Sequence, residues 1–424
     1  MRIKLAYGHD GLWVDIPEGV STTVIEPKFV PGLADEETAI LSALRSPTAG
    51  LPLRDIVSPS DTVAVVFSDI TRPMPNDRVL PPLLDALSWI GVPDNHVTLI
   101  NALGTHRAQT RDELTTMLGP GIVNRYSIVQ HDAWGQDLVE VTRNSLDNPV
   151  KINRHYMEAD KKLLTGFVEP HFFAGFSGGP KAIFPGIANI DAIMDNHGAQ
   201  MLSHPNATWV KTVGNPLWEE IRDIALATQP AFILNVTLNK DHAITGVFTG
   251  EVIRAHQAAT TFVRENAMQP VQVTYDIVLT SNSGYPLDLN LYQAVKGMSA
   301  ASQIVKPGGD IIIVAECWDG LPSHGEYAHL LKQADSIEDL LEKIMAPGFR
   351  SHDQWQAQIQ AQIQRKARVH VHSDGLRNDE LRQALVLPSP SVEKTLDALL
   401  HENPDAQIAV LPEGPQTVPY LAES

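Results

Sequence analysis

The chain has 424 residues, 43% of them hydrophobic and 19% charged, and a formal net charge of −18. This length and composition describe a globular chain of two or three domains with a large core. The acidic balance excludes nucleic acid as a partner and requires any small anionic substrate to be held by local cations.

The N-terminal residues run directly into polar and acidic positions and lack the apolar core of a signal peptide. No apolar run reaches the roughly 18 residues that suggest a membrane span, so a cytoplasmic protein without a membrane partner is expected. Residues 61–67 (DTVAVVF) read as a buried strand that stops at the polar turn Ser68-Asp69. A helix is predicted over 77–90 and a strand over 97–102, which ends at Gly104-Thr105-His106. Thr110 is placed to cap a helix through Met117, with Glu113 completing a capping box. Residues 161–168 form the next expected strand. A second unit begins near residue 270, with strands over 275–280 and 310–315 and a helix over 287–303 that contains Gly297. Residues 322–366 read as helical with a break at Ala346-Pro347-Gly348, and 369–372 and 407–411 as late strands. Pro270 interrupts a helical pattern within 266–272, which reads as a linker. The expected fold class is therefore α/β: two α/β domains, 1–268 and 269–424, with mainly parallel sheets and a site in the cleft between them.

Polar clusters follow several of these strands. In Ser68-Asp69-Ile70-Thr71-Arg72-Pro73, Arg72 suits a two-point contact with a carboxylate, and the same residues also suit a capped loop with an internal Asp–Arg pair. In Gly104-Thr105-His106-Arg107, His106 suits a base near neutral pH or a solvated loop histidine. The most distinctive stretch runs from Glu169-Pro170-His171 through Phe176-Ser177-Gly178-Gly179-Pro180-Lys181 to Gly186. Its four glycines and three prolines in eighteen residues oppose any long regular element. Its letters G-x-S-x-G are not a nucleophile elbow, because the strand ends too early and Pro180 and Pro185 oppose the helix that must follow. Ala182 stands where a Walker motif needs a hydroxyl. Asn196-His197-Gly198 offers a metal-binding imidazole. Gln293 and Lys296, three apart beside Tyr292, share a helix face. The lone cysteine, Cys317, leaves no disulfide framework and no CxxC metal site.

These motifs together, in this order, closely resemble the lactate racemase family across nearly the whole chain. The resemblance implies a nickel-pincer nucleotide, a pyridinium mononucleotide holding nickel (Ni) through sulfur, carbon and sulfur. It places the covalent attachment on Lys181 and the nickel-binding imidazole on His197. It implies His106 and His171 as the two catalytic bases. Arg72 and Lys296, with Gln293 and Tyr292, then bind the substrate carboxylate. Asp69, Ser177, Gly178 and Gly179 help hold the cofactor, and Trp355 lines the site. No carried-over position departs from the family's pattern. The implied function is a racemase or epimerase that inverts C2 of a 2-hydroxyacid by reversible hydride transfer through a 2-ketoacid. The implied partners are a small 2-hydroxyacid and the cofactor-synthesis enzymes. A pyridinium ring that accepts hydride avoids a carbanion beside a carboxylate, which is the difficulty of direct proton abstraction. The alternatives are another metal-dependent enzyme acting on a small carboxylic acid and a non-catalytic cofactor-binding protein. A nicotinamide dehydrogenase is opposed by the absence of a G-x-G-x-x-G that opens a helix.

Overall fold

The computed structural model describes residues 1–322 and 325–422. The chain divides into two compact units. The first comprises Phe29–His197 and His204–Glu265; the second comprises Met1–Lys28, Gly198–Ser203 and Asn266–Ser424.

The first unit is built on a six-stranded sheet of β1 (Val63–Ser68), β2 (Val97–Ala102), β3 (Ser127–Gln130), β4 (Lys161–Phe167), β5 (Phe232–Leu238) and β6 (Ile244–Gly250). The spatial order is β6-β5-β4-β1-β2-β3, and only the β5–β6 pair is antiparallel. Residues 63–67 of β1 are buried, as a central strand covered on both faces requires. Two helices after β1 and β2 keep their expected places: α1 (Asn76–Ile90) and α2 (Arg111–Leu118), the latter with the Thr110–Glu113 capping box formed. Further along the chain lie α3 (Pro216–Ala227) and α4 (Val252–Ala267). From β1 the chain winds outward through β2 and β3; from β4 it winds the other way through β5 and β6. The winding reverses between β1 and β4, and open α/β sheets bind ligands beyond the carboxyl ends of strands at such a point.

The second unit repeats the plan with β7 (Tyr275–Ser281), β8 (Val305–Val314), β9 (Arg368–His372), β10 (Leu387–Pro388) and β11 (Ile408–Leu411). These pair in parallel in the order β10-β9-β8-β7-β11, with Thr22–Val24 as the outer strand beside β11. That pairing, and the packing of Leu5, Tyr7, Val14 and Ile16 into the core beneath β7 and β11, groups residues 1–28 with the second unit. A single cut at 268/269 leaves this out. The expected linker is a strand instead: Met268–Val271 pairs with Val418–Leu421, where a two-stranded ladder tolerates Pro270. The helical stretch over 322–366 resolves into Tyr327–Lys332, Ile337–Met345 and α6 (Gln354–Lys366); its residues 323 and 324 lie outside the described residues. Among the described residues no helix is long and apolar enough to cross a membrane.

Helix α5 (Leu291–Ser302) follows β7 and begins at the Asn290 cap, whose side chain accepts the Gln293 N–H. It lies so close to β7 that a Cβ on Gly297 would sit 2.2 Å from the Ser281 carbonyl oxygen. Alanine normally gains about 1 kcal/mol over glycine inside a helix. Gly297→Ala is expected to do the reverse and lower unfolding stability by about 1–3 kcal/mol, as overpacking does. Urea denaturation checks this, and an unchanged or raised midpoint contradicts the close approach.

Candidate functional site

Three loops leave the carboxyl ends of β1, β2 and β4, around the point where the winding reverses. The β1 loop carries Asp69, Thr71 and Arg72. Asp69 is buried, and its Oδ2 lies 2.7 Å from Nδ1 of His106, which the β2 loop supplies. The Thr71 hydroxyl donates to Asp69 Oδ1 at 2.9 Å. Burial pushes the Asp69 carboxyl upward, but His106, Arg72 and the Thr71 hydroxyl outweigh burial and hold it below the usual carboxylate range. An ionised carboxylate can only accept, so Nδ1 of His106 is the donor, which points Nε2 away from Asp69. Arg72 closes the turn through its N–H to the Asp69 carbonyl. Its guanidinium lies near enough to Asp69 for its charge to help hold that carboxyl down.

The β4 loop carries the glycine-rich stretch as a short hairpin, Pro170–His171 against Gly175–Phe176, followed by one 3₁₀ turn, Gly179–Ala182. Phe173 stands at the hub of this region. The edge-on rings of His171 and His197 lie 4.5 and 5.2 Å from its centroid, and Lys181 Nζ lies 5.6 Å from it. The backbone N–H of Ala174 points at Nδ1 of His171 at 3.3 Å. His197 is buried at the end of the helix Ile190–Asn196, whose Asn196 is tied to the Leu217 carbonyl and Glu220. Burial first, and the Lys181 charge second, push the His197 imidazole down to about 3. It is therefore neutral at physiological pH, the form that ligates a metal.

The Ser177–Gly179 stretch faces inward. The Ser177 hydroxyl donates to the Phe167 carbonyl at 3.0 Å and accepts the Glu169 N–H at 2.9 Å, so it is no exposed nucleophile. The Ser177 N–H reaches the Glu169 carbonyl, and the Gly179 N–H reaches Asn235 Oδ1 at 2.8 Å. A Cβ on Gly178 would lie 2.9 Å from Asn235 Oδ1, and one on Gly179 2.6 Å from the His256 ring. These glycines, both at positive φ, let the loop close on its own unit.

In the second unit, Tyr292, Gln293 and Lys296 are half-buried on α5, while Leu291, Ala294 and Val295 between them are buried. They form one accessible stripe on an otherwise covered helix, as their spacing predicts. Trp355 on α6 is buried behind it and donates its indole N–H to the Tyr292 hydroxyl at 2.9 Å.

Thr71, Phe173, Asn235 and His256 are the residues that sequence reasoning missed. Asn235 has a legible signal, a polar residue inside the apolar run Phe232–Leu238. The other three sit in ordinary loop or amphipathic contexts.

Imidazoles, an ionised buried carboxylate and a lysine thus gather on the loops of an α/β sheet where its winding reverses. Two family models match the chain: the lactate racemase N-terminal domain over residues 7–210 and the lactate racemase C-terminal domain over 271–418. It is 34% identical over 419 residues to a lactate racemase of Thermoanaerobacterium thermosaccharolyticum, covering 97% of this chain and 98% of that protein. It is also 34% identical to a lactate racemase of Lactiplantibacillus plantarum, over 90% of each. The structure of the Thermoanaerobacterium lactate racemase apoprotein superposes with a TM-score of 0.92 at 33% identity, over 99% of this chain and 100% of that one. A Thermotoga maritima protein at 19% identity shares the fold, with a TM-score of 0.71 over 93% of this chain and 100% of that one. The chain belongs to the lactate racemase family, and it is an isomerase.

The buried histidines set a pH dependence of stability. His256 is pushed down to about 4 by burial, against its hydrogen bond to the Ser177 carbonyl, from an ordinary 6.5. Between those values the unfolded chain binds a proton that the folded protein refuses, so stability falls as pH is lowered from 6.5 toward 4 and is complete above 6.5. His131, also held down by burial, adds in the same direction. The His256 contribution has a slope of up to about 1.4 kcal/mol per pH unit. Denaturant unfolding across this window should show a shallower slope in His256→Gln than in the native chain; equal slopes contradict the buried neutral imidazole.

Proposed function

We propose that this chain inverts the C2 centre of a 2-hydroxyacid of the lactate type, using a nickel-pincer nucleotide attached covalently to Lys181. The observation that carries the reading is the cluster on Phe173, where a buried neutral imidazole, a lysine amine and a second histidine share one ring. The donor chemistry fits the group. Among the described residues no three His, Cys, Asp or Glu side chains come together as a metal-ligand set. One imidazole, His197, is then the protein's share, and the remaining soft donors belong to the nucleotide itself. When bound, the group supplies a reversible hydride acceptor, which takes the substrate carbon through a planar 2-ketoacid.

The chain's own residues do the rest. His106, with Nδ1 engaged by ionised Asp69, takes or returns the substrate hydroxyl proton at Nε2. His171 does the same for the opposite enantiomer, because the two hydroxyl groups point in different directions. Arg72 and Lys296 hold the carboxylate, with Gln293 and Tyr292 beside Lys296, and Trp355 fixes the Tyr292 hydroxyl. Asp69, which the family resemblance gives to the cofactor, is better used in orienting His106.

Intact-mass and metal analysis of protein made together with the cofactor-synthesis enzymes tests the reading. Native protein should carry an adduct on Lys181 with nickel, and Lys181→Ala should carry neither. Native protein that stays unmodified and nickel-free under those conditions overturns the proposal. For Asp69→Asn the expectation is a kcat lower by on the order of 10²–10⁴ with the adduct retained. Loss of the adduct with normal turnover per remaining adduct would return Asp69 to cofactor binding.

A further inference from the structure

Two buried side chains with no expected part in the chemistry grip the backbone just before Lys181. Asn235, on β5 and wholly buried, accepts the Gly179 N–H through Oδ1 at 2.8 Å. His256, on α4 and 2% exposed, lies with Nε2 2.9 Å from the Ser177 carbonyl oxygen, and its ring is 16° from parallel to that of Trp218 of α3, with centroids 6.3 Å apart. A carbonyl can only accept, so His256 donates through Nε2–H. The carbonyl and the N–H of neighbouring peptide units are thus held from two different elements. The Gly178 carbonyl next to them accepts the Lys181 N–H at 3.1 Å and opens the 3₁₀ turn that carries the lysine.

The packing leaves this arrangement little freedom. Gly166 lies opposite Asn235 in the β4–β5 register, and a Cβ there would meet the Asn235 amide at 3.4 Å. Cβ atoms on Gly178 and Gly179 would meet Asn235 and His256 more closely, at 2.9 and 2.6 Å. Three glycines therefore make room for two polar side chains. Simple filling of that space with an apolar residue would leave a buried carbonyl and a buried N–H unpaired.

We infer that Asn235 and His256 are positioning residues for Lys181: they set the backbone from which its amine reaches the Phe173 ring and the electrophile that modifies it. The inference rests on the proposed role of Lys181 and extends it to residues outside the site. With both grips in place the turn at Gly179–Ala182 has one setting, and the half-buried lysine is held beside the ring. Without one of them a peptide group loses its buried partner and turns toward water, and the lysine turns with it.

The test measures the amine directly in full-length protein made without the cofactor-synthesis enzymes. Trace labelling with acetic anhydride across a pH series, read by peptide mass spectrometry, gives the acylation rate of Lys181, with the exposed Lys240 as internal control. In His256→Leu and in Asn235→Ala the Lys181 rate should rise toward that of Lys240 by about fivefold or more, the population change that loss of one buried hydrogen bond brings. The Lys240 rate should not move. His256→Gln keeps an N–H donor for the Ser177 carbonyl and should return the Lys181 rate to within about twofold of native. Lys181 rates within twofold of native in folded His256→Leu and Asn235→Ala overturn the inference, as does failure of His256→Gln to restore the rate. If His256→Leu does not fold, the shorter polar His256→Asn takes its place under the same thresholds. Absence of a Lys181 adduct in native protein overturns the proposed function instead and leaves the labelling result to stand by itself.

Discussion

The reversal of winding between β1 and β4 is the constraint on which the first unit's chemistry depends. Parallel strands release their loops at one end of the sheet, and at this point the loops diverge to either side. The β1 and β2 loops can then meet, which brings Asp69 against His106. The β4 loop is free to turn back over its own sheet, which brings His171, Phe173 and Lys181 into one cluster with His197. The first group joins two separate loops, whereas the second is gathered from one stretch, 171–197. The meeting of Asp69 and His106 follows from the pairing of β1 with β2.

Burial and neighbouring charge together decide the state of the two enclosed titratable groups, and they act with opposite balance in each. Asp69 and His197 are both almost fully enclosed, yet one is ionised and the other neutral. Asp69 meets an imidazole, a nearby guanidinium and a hydroxyl, which together overcome desolvation. His197 meets apolar surface and the positive charge of Lys181, so desolvation and Coulomb repulsion act together. The same two effects therefore give an anion that orients a ring and a lone pair suited to a metal.

Much of this was legible in the sequence. The strand read at 61–67, the capping box at Thr110 and Glu113, and the helix-face spacing of Gln293 and Lys296 are local patterns; the structure carries each, with the strand running Val63–Ser68. The grouping of residues 1–28 with the second unit leaves no local mark, because Thr22–Val24 finds its partner at Ile408–Leu411, far away in sequence. The glycine-rich stretch reads as irregular, and it forms a short hairpin and one 3₁₀ turn. Its Gly178 and Gly179 face Asn235 and His256, whose approach depends on β5 and α4 and leaves no mark near residue 178. Asp69 was legible as a site residue, but its contact with His106 needs the β1–β2 register and the geometry of both loops.

The position of His197 in the chain adds a last constraint. It is the final residue of the Phe29–His197 segment, and the six residues that follow, Gly198–Ser203, pack within the second unit. There Gln358 of α6 donates to the Ala199 carbonyl at 2.9 Å and to the Ser203 hydroxyl at 3.0 Å. Gln358 is wholly buried, one of four glutamines at alternate positions from Gln354 to Gln360 that are enclosed in this helix. Such a row is costly unless its amides find partners; the amide N–H groups donate to the Ala199, Tyr292 and Ala384 carbonyls, while the Gln358 Oε1 stays buried without one among the described residues. The helix that supplies Trp355 to Tyr292 thus also fixes the backbone two residues beyond the imidazole proposed to bind nickel. The polar row has a physical reason within the second unit: it ties α5 and the segment Gly198–Ser203 to α6.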